Sequence, residues 1–151
     1  YFIVAKRDAL TGKQNYIDGA TTSQEIMIDA SNDTYDMEAG TSLTTGVTAI
    51  TDQELLLALF NGASSELYSN SVEITLSGTP GTNGINNLIV GADADQSDLL
   101  DGTMQELIIY STDQTSNKVI IETNINGYYL IYELTWDQAT QVYSTTTLTF
   151  S

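Results

Sequence analysis

Residues 54–60, ELLLALF, constrain the fold of this chain more than any other stretch. Side chains alternate in direction along a β-strand, so the even-numbered residues 56–60 would lie on one face and the odd-numbered residues 55–59 on the other. Every one of these positions is apolar. A strand that is apolar on both faces belongs in the middle of a sheet that is covered twice. The run therefore predicts a central strand with packing on both sides.

Strand and turn signals continue through most of the chain. Turn residues recur roughly every eight to fifteen residues, which predicts an all-β sandwich or barrel. Asn61-Gly62 is a strong hairpin signal after the central strand. No internal repeat or linker divides the 151 residues, so we expect a single domain over 1–151. The predicted strands lie near residues 1–5, 14–17, 24–29, 34–38, 54–60, 65–68, 72–76, 87–91 and 103–110. Residues 43–50 are less regular and are compatible with a short strand or a loop.

The period of the apolar residues changes after residue 112. Spacings of four, three and four predict an amphipathic helix near 116–132. The apolar stripe of this helix consists of Ile121, Ile125, Tyr128 and Tyr132. Gly127 lies inside it and costs the helix about 1 kcal/mol relative to alanine, which packing must offset. Residues 132–151 then predict a C-terminal hairpin in which Trp136 and Tyr143 pair.

Composition excludes several functions. The chain has no Cys and no His, so it lacks the residues of Ser-His-Asp and Cys-His catalysis. Twenty acidic residues against four basic ones give a formal charge of −16, which disfavours nucleic acid as a partner. No apolar run approaches the ~20 residues that span a bilayer, so we expect no membrane partner. The start at Tyr1 leads us to expect a fragment of a longer protein.

Three stretches resemble the laminin-G-like branch of the concanavalin-A-like sandwich domains, in versions found in phage virion proteins and secreted bacterial proteins. They are LLLALFNGASSELYSN, NLIVGADAD and LDGTMQELIIYSTDQTSNKVIIETNINGYYLIY. Residues 89–92 match the family's IGA strand, residues 101–110 its DG-x-I-x-E-hydrophobic-x-I-Y pattern, and residues 121–132 its helix. The likeness covers residues 55–132. It implies a two-sheet antiparallel jelly-roll sandwich with one packed helix.

The resemblance identifies a fold more than an activity, because members bind sugars, bind proteins or build particles. We expect a non-enzymatic structural or adhesion module of a virion, with other virion subunits or copies of itself as partners. The alternative is a secreted carbohydrate-binding module, with cell-surface glycans as partners and calcium as a possible aid. Both place the protein in the virion or outside the cell. The hairpin at 132–151 is an addition to the family pattern and could pair with another subunit.

Candidate site residues follow from residue type. A calcium site is expected, if anywhere, in the acidic loop, where laminin-G-like domains often hold this ion. Its candidate ligands are Asp93, Asp95, Asp98 and Asp101. Aromatic residues near turns and strand ends could stack on a sugar or contact a partner. These are Trp136, Tyr143, Tyr35 and Tyr68.

Two carboxylate hypotheses point away from catalysis. Glu25 and Asp29 would share a strand face but lie about 13 Å apart along it. A glycosidase pair needs at most about 9.5 Å between its carboxyl groups. Glu106 interrupts the apolar run after Gly102, and we expect it on the helix side of its strand in a structural role, with Lys118 as one candidate partner.

The strand that contains Glu106 is apolar on both faces and therefore also predicts two covers. We expect Leu107 and Ile109 to face the space between the sheets. Ile108 and Tyr110 should meet the helix stripe at Ile121, Ile125 and Tyr128.

Overall fold

A computed structural model of the chain describes residues 1–20, 23–29, 31–137 and 142–146. Within these residues the chain forms twelve strands joined by loops, and one α-helix follows the tenth strand. The strands are β1 (Phe2–Arg7), β2 (Gln14–Asp18), β3 (Gln24–Ile28), β4 (Thr34–Ala39), β5 (Ser42–Thr48), β6 (Glu54–Leu59), β7 (Glu66–Ser69), β8 (Val72–Ile74), β9 (Ile89–Val90), β10 (Gly102–Ile108), β11 (Glu133–Asp137) and β12 (Val142–Thr146). The helix α1 is Lys118–Tyr129.

Ten of these strands form two antiparallel five-stranded sheets. The first sheet has the order β10-β1-β6-β7-β8, and the second has the order β5-β4-β3-β2-β9. The two sheets pack on each other as a sandwich. The predicted all-β, two-sheet antiparallel architecture is confirmed.

One apolar core lies between the two sheets. Ile3 and Leu56 of the first sheet pack there with Ile26 and Met37 of the second, and all four are fully buried. Because neighbouring side chains alternate, Val4 and Leu55 leave this core and enter a second one. That second core lies on the other face of the first sheet.

The helix α1 covers the second core. Its Ile125 is buried against Phe2, Val4 and Leu55, and Ile121 packs partly against the same cluster. The first sheet is therefore covered by the second sheet on one face and by α1 on the other. This arrangement explains why β6 is apolar on both sides, as its sequence predicted.

The end of α1 is set by one asparagine. Asn126 is buried, its Oδ1 accepts the N–H groups of Ile131 and Tyr132, and its Nδ2 donates to the Tyr132 carbonyl. Leu130 takes a left-handed conformation with φ of 54° and closes the helix. Tyr132 thus reaches the second core from beyond the helix, and its hydroxyl lies 2.9 Å from that of Ser71.

The predicted packing of the side chains of β10 and the residues after it is confirmed in part. Leu107 packs between the sheets and Ile108 packs on the helix side, as expected. Two contacts were predicted wrongly, because Ile109 is 43% exposed and Tyr128 is 80% exposed. Ile109 follows the last residue of β10 and does not reach the core between the sheets. Tyr128 lies on the outer flank of the helix and does not reach the second core.

One further expectation needs correction. Lys118 pairs with Glu122 at 2.9 Å, one helical turn away, and not with Glu106. Glu106 lies opposite Val4 on the helix side, as expected.

The hairpin predicted at Asn61-Gly62 is confirmed. Strands β6 and β7 pair antiparallel, and a 3-10 turn at Gly62–Ser64 connects them. That turn lets Ser65 Oγ accept the N–H of Asn61.

The C-terminal hairpin is confirmed in its backbone. Strands β11 and β12 pair antiparallel, with Trp136 opposite Tyr143. In the part of the chain that the structure describes, these two strands form a sheet of their own and add to neither large sheet.

Candidate functional site

The most conspicuous charged group in the molecule is buried between the sheets. Glu54 opens β6 and is 1% exposed. Its Oε1 accepts the hydroxyl of Tyr16 at 2.5 Å, and its Oε2 accepts the hydroxyls of Tyr35 at 2.6 Å and Ser69 at 3.0 Å. Tyr16 and Tyr35 belong to the second sheet, so the carboxylate joins the two sheets.

Arg7 supplies the opposite charge. Its Nη2 lies 3.3 Å from Glu54 Oε1 and also donates to the Ile50 carbonyl. The guanidinium carbon lies 5.5 Å from the centre of the Tyr16 ring and 5.7 Å from that of Tyr35, within cation–π range. Arg7 is itself 1% exposed, so the charged pair is closed to a substrate in this structure.

The environment shifts the titration of this cluster. Burial raises the pKa of Glu54, while Arg7 and the hydroxyls of Tyr16, Tyr35 and Ser69 act in the opposite direction. Burial, together with the Glu54 charge, raises the pKa of Tyr16 and of Tyr35. A carboxylate with four partners is well satisfied, so we interpret the cluster as a structural link between sheets.

This cluster was not predicted from the sequence, because Arg7 and Glu54 are far apart in the chain. One signal was present, since Arg7 and Glu54 each lie at the end of a largely apolar strand. A charge at such a position needs a buried partner of opposite sign.

The acidic loop forms its own hydrogen-bond network. Asp93 accepts the backbone N–H and hydroxyl of Ser97 and the N–H of Asp98, while Asp95 accepts the N–H of Ser97 at 3.0 Å. Slight burial acts to raise the pKa of Asp93, but these hydrogen bonds outweigh it and lower the pKa. Lys13 lies 3.6 Å from Asp98, and Asp101 is exposed. Across the described ranges, no three acidic residues converge so as to hold a metal ion, and the calcium site stays a prediction.

The predicted aromatic contacts differ in accessibility. Tyr35 is buried between the sheets, so its ring offers no surface for a sugar or a partner, and this prediction is corrected. Tyr68 is half-buried, with the ammonium of Lys118 4.0 Å from its ring centre. One face of that ring is therefore occupied. The side chains of Trp136 and Tyr143 lie outside the described residues.

The carboxylates of the second sheet also have structural partners. Glu25 accepts Asn15 Nδ2 at 2.6 Å and Lys13 Nζ at 2.9 Å, and Asp29 accepts the N–H groups of the turn after β3. Glu25 lies opposite Glu38 on the outer face. Burial and the neighbouring Glu25 charge raise the pKa of Glu38. This face of the sandwich is acidic.

A cavity of about 480 Å³ opens at one end of the sandwich. Two aromatic pairs flank it, Tyr1 with Phe60 and Phe2 with Tyr110, each in an edge-to-face arrangement. Hydrogen-bonding groups complete the wall, among them Gln24 of the second sheet. The cavity combines aromatic surface with polar groups, as small-molecule sites do. Neither Tyr1 nor Phe60 was singled out as a contact by the sequence analysis.

The outer surface of α1 is apolar as well. Ile120 and Tyr128 are 72% and 80% exposed, and Val119 and Leu130 are also more than half exposed. Isolated exposed apolar residues are ordinary, but a group of four on one short helix is typical of an interaction surface. Val119 lies on the side of Asn126, so we call the other three with Asn124 and Gly127 the outer helix face.

No protein-family model, no curated protein and no solved structure matches the chain. None of the helices described is long and apolar enough to cross a membrane.

Proposed function

We propose that this chain is a non-enzymatic structural or adhesion module of a virus particle, such as a capsid-decorating, fibre or tail-associated protein. Its sandwich would be of the concanavalin-A-like, laminin-G-like type. The order of β9, the acidic loop, β10 and α1 supports that type, since it follows the motif order of the family.

The outer helix face is the observation that carries the proposal. A helix that packs on a sheet needs one apolar side, and α1 has a second one turned away from the sheet. The fold gains nothing from exposing Ile120 and Tyr128 to water. Contact with another protein would bury them, which favours assembly as the activity. The partners would be other virion subunits or copies of this chain.

Fractionation of particles tests the proposal. Virions from the organism that encodes the chain are banded on a density gradient and their proteins identified by mass spectrometry. The chain should sediment with the coat protein in a fixed ratio after a high-salt wash. Recovery only as free protein, with none in the particle fractions, would contradict a virion role.

The cavity favours a second candidate, a secreted carbohydrate-binding module. Aromatic rings beside amide and hydroxyl groups match the two faces of a sugar, one apolar and one polar. Binding on a glycan array, with and without a chelator, tests this function and its calcium dependence. Phe60→Ala should lower the signal while Phe60→Tyr keeps it, and a blank array in both arms excludes glycan recognition.

A further inference from the structure

The outer helix face has a defined shape. Ile120, Asn124 and Gly127 follow each other at spacings of four and three, so they form one line along the helix. This line lies opposite Glu122, Ile125 and Asn126, the buried residues of α1. Tyr128 flanks it on one side and Leu130 on the other. Gly127 therefore forms a depression between exposed apolar side chains.

Two residues of this face are unsuited to the helix itself. Gly127 is helical, and a Cβ added there would meet nothing within 4 Å, so alanine would fit and would favour the helix. Leu130 has a φ of 54°, a conformation that favours glycine at helix ends, and its side chain is 71% exposed. The chain thus has glycine at position 127, where alanine would suit the fold better. It has leucine at position 130, where glycine would suit the fold better. Local rules broken in this way are expected at functional sites.

Charge points to the kind of partner. The two charged residues of α1, Lys118 and Glu122, pair with each other, and Glu122 is 2% exposed. No charged residue occurs in residues 123–132. A chain with net charge −16 repels its own copies, and its second sheet presents Glu25 and Glu38. The outer helix face is a surface on which two copies can meet without placing carboxylates in the contact.

The area suits a weak, concentration-dependent contact. Ile120, Tyr128 and Leu130 are each more than 70% exposed and together leave roughly 450 Å² of surface per copy. Two copies would bury about 900 Å² in total, the size of a weak or transient interface. Exposed backbone at Gly127 would let the two helices approach closely.

We infer that α1 is a self-association surface, on which a second copy of this chain packs its own outer helix face, with the two helices crossing at Gly127. The contact is isologous, so Ile120 and Leu130 of each copy meet the same face of the other. This inference rests on the proposed function and names the site and partner of assembly.

Sedimentation equilibrium of the chain, from about 1 µM to about 1 mM, tests the inference. The mass should rise from 16.4 kDa toward twice that value. The decisive variant combines Gly127→Ala with Leu130→Gly. It should unfold at a higher temperature than the natural chain and yet associate at least about tenfold more weakly. If Gly127 and Leu130 had no part in association, this double variant would be more stable and would associate as strongly as the natural chain.

A matched pair of variants controls for charge. Ile120→Lys adds a cation to the outer helix face, and Val90→Lys adds the same charge at a residue of the second sheet that is 48% exposed. Only Ile120→Lys should abolish the dimer. Equal effects of both variants, or a monomer at every concentration, would overturn the inference. Neither result touches the virion proposal, which allows a different subunit as partner and fails separately in the particle fractionation.

Discussion

Glu54→Gln is the sharpest test of the buried link between the sheets. The change removes the charge that balances Arg7 and places an amide NH₂ among three hydroxyl donors and a guanidinium. Removing one partner of a buried ion pair costs about 3–5 kcal/mol. A domain of this kind has a total stability of about 5–15 kcal/mol, so the loss is a large fraction of it.

Urea unfolding at neutral pH, followed by circular dichroism, measures this loss. With a slope of about 2 kcal/mol/M, the midpoint should fall by roughly 1.5–2.5 M. The double variant Arg7→Met with Glu54→Gln should lose less than the sum of the single variants, with a coupling of about 1–3 kcal/mol. Both charges then leave the core together.

A surface pair provides the control. Asp98→Asn removes an ion pair in which Lys13 and Asp98 are each about one third exposed, and this should cost under about 1 kcal/mol. A loss under about 1 kcal/mol for Glu54→Gln as well would refute the reasoning. It would mean that the Arg7 charge is compensated by something other than Glu54.

Two further predictions concern backbone and pH. Gly102→Ala should cost at least about 2 kcal/mol, because φ is +155° and the new Cβ would lie 2.1 Å from the Lys6 carbonyl oxygen. Gly84→Ala, with nothing within 4 Å, is the control in urea unfolding, and equal losses would contradict the clash. Burial raises the pKa of Tyr16 and Tyr35 above that of tyrosine in the unfolded chain, which is about 10. The free energy of unfolding should therefore keep its full value below about pH 10 and fall as the pH rises further. The part of the tyrosinate absorbance that belongs to Tyr16 and Tyr35 should therefore appear together with loss of the β-sheet signal, and ionisation of all nine tyrosines in a folded chain would contradict this.

Much of the local structure could be predicted because it depends on neighbours in sequence. The two apolar faces of β6 required two covers, and the structure supplies the second sheet and α1. The spacing of Ile121 and Ile125 placed a helix whose buried side meets the first sheet. Period and turn residues act over a few positions, so a sequence displays them directly.

Sites were harder to predict because their members come from distant parts of the chain. Tyr35 looked like a surface aromatic residue and is a core residue that donates to Glu54. The Asn61-Gly62 signal predicted the hairpin correctly, but it could not indicate the 3-10 turn in the loop, since the path of a loop depends on how two whole strands pair. Tyr128 continues the helical spacing and yet is exposed, whereas the left-handed turn at Leu130 brings Tyr132 into the second core.

The sequence by itself determined that this chain forms a sheet with two covers, that one cover is a helix, and that neither His nor Cys chemistry operates in it. Only the tertiary structure decided which charges are buried together and which apolar side chains remain in water. The reason is that alternation and helical spacing assign a residue to a face, whereas burial depends on what the rest of the chain brings to that face. The outer helix face is such a case, since its residues differ little in type from those on the buried side of α1.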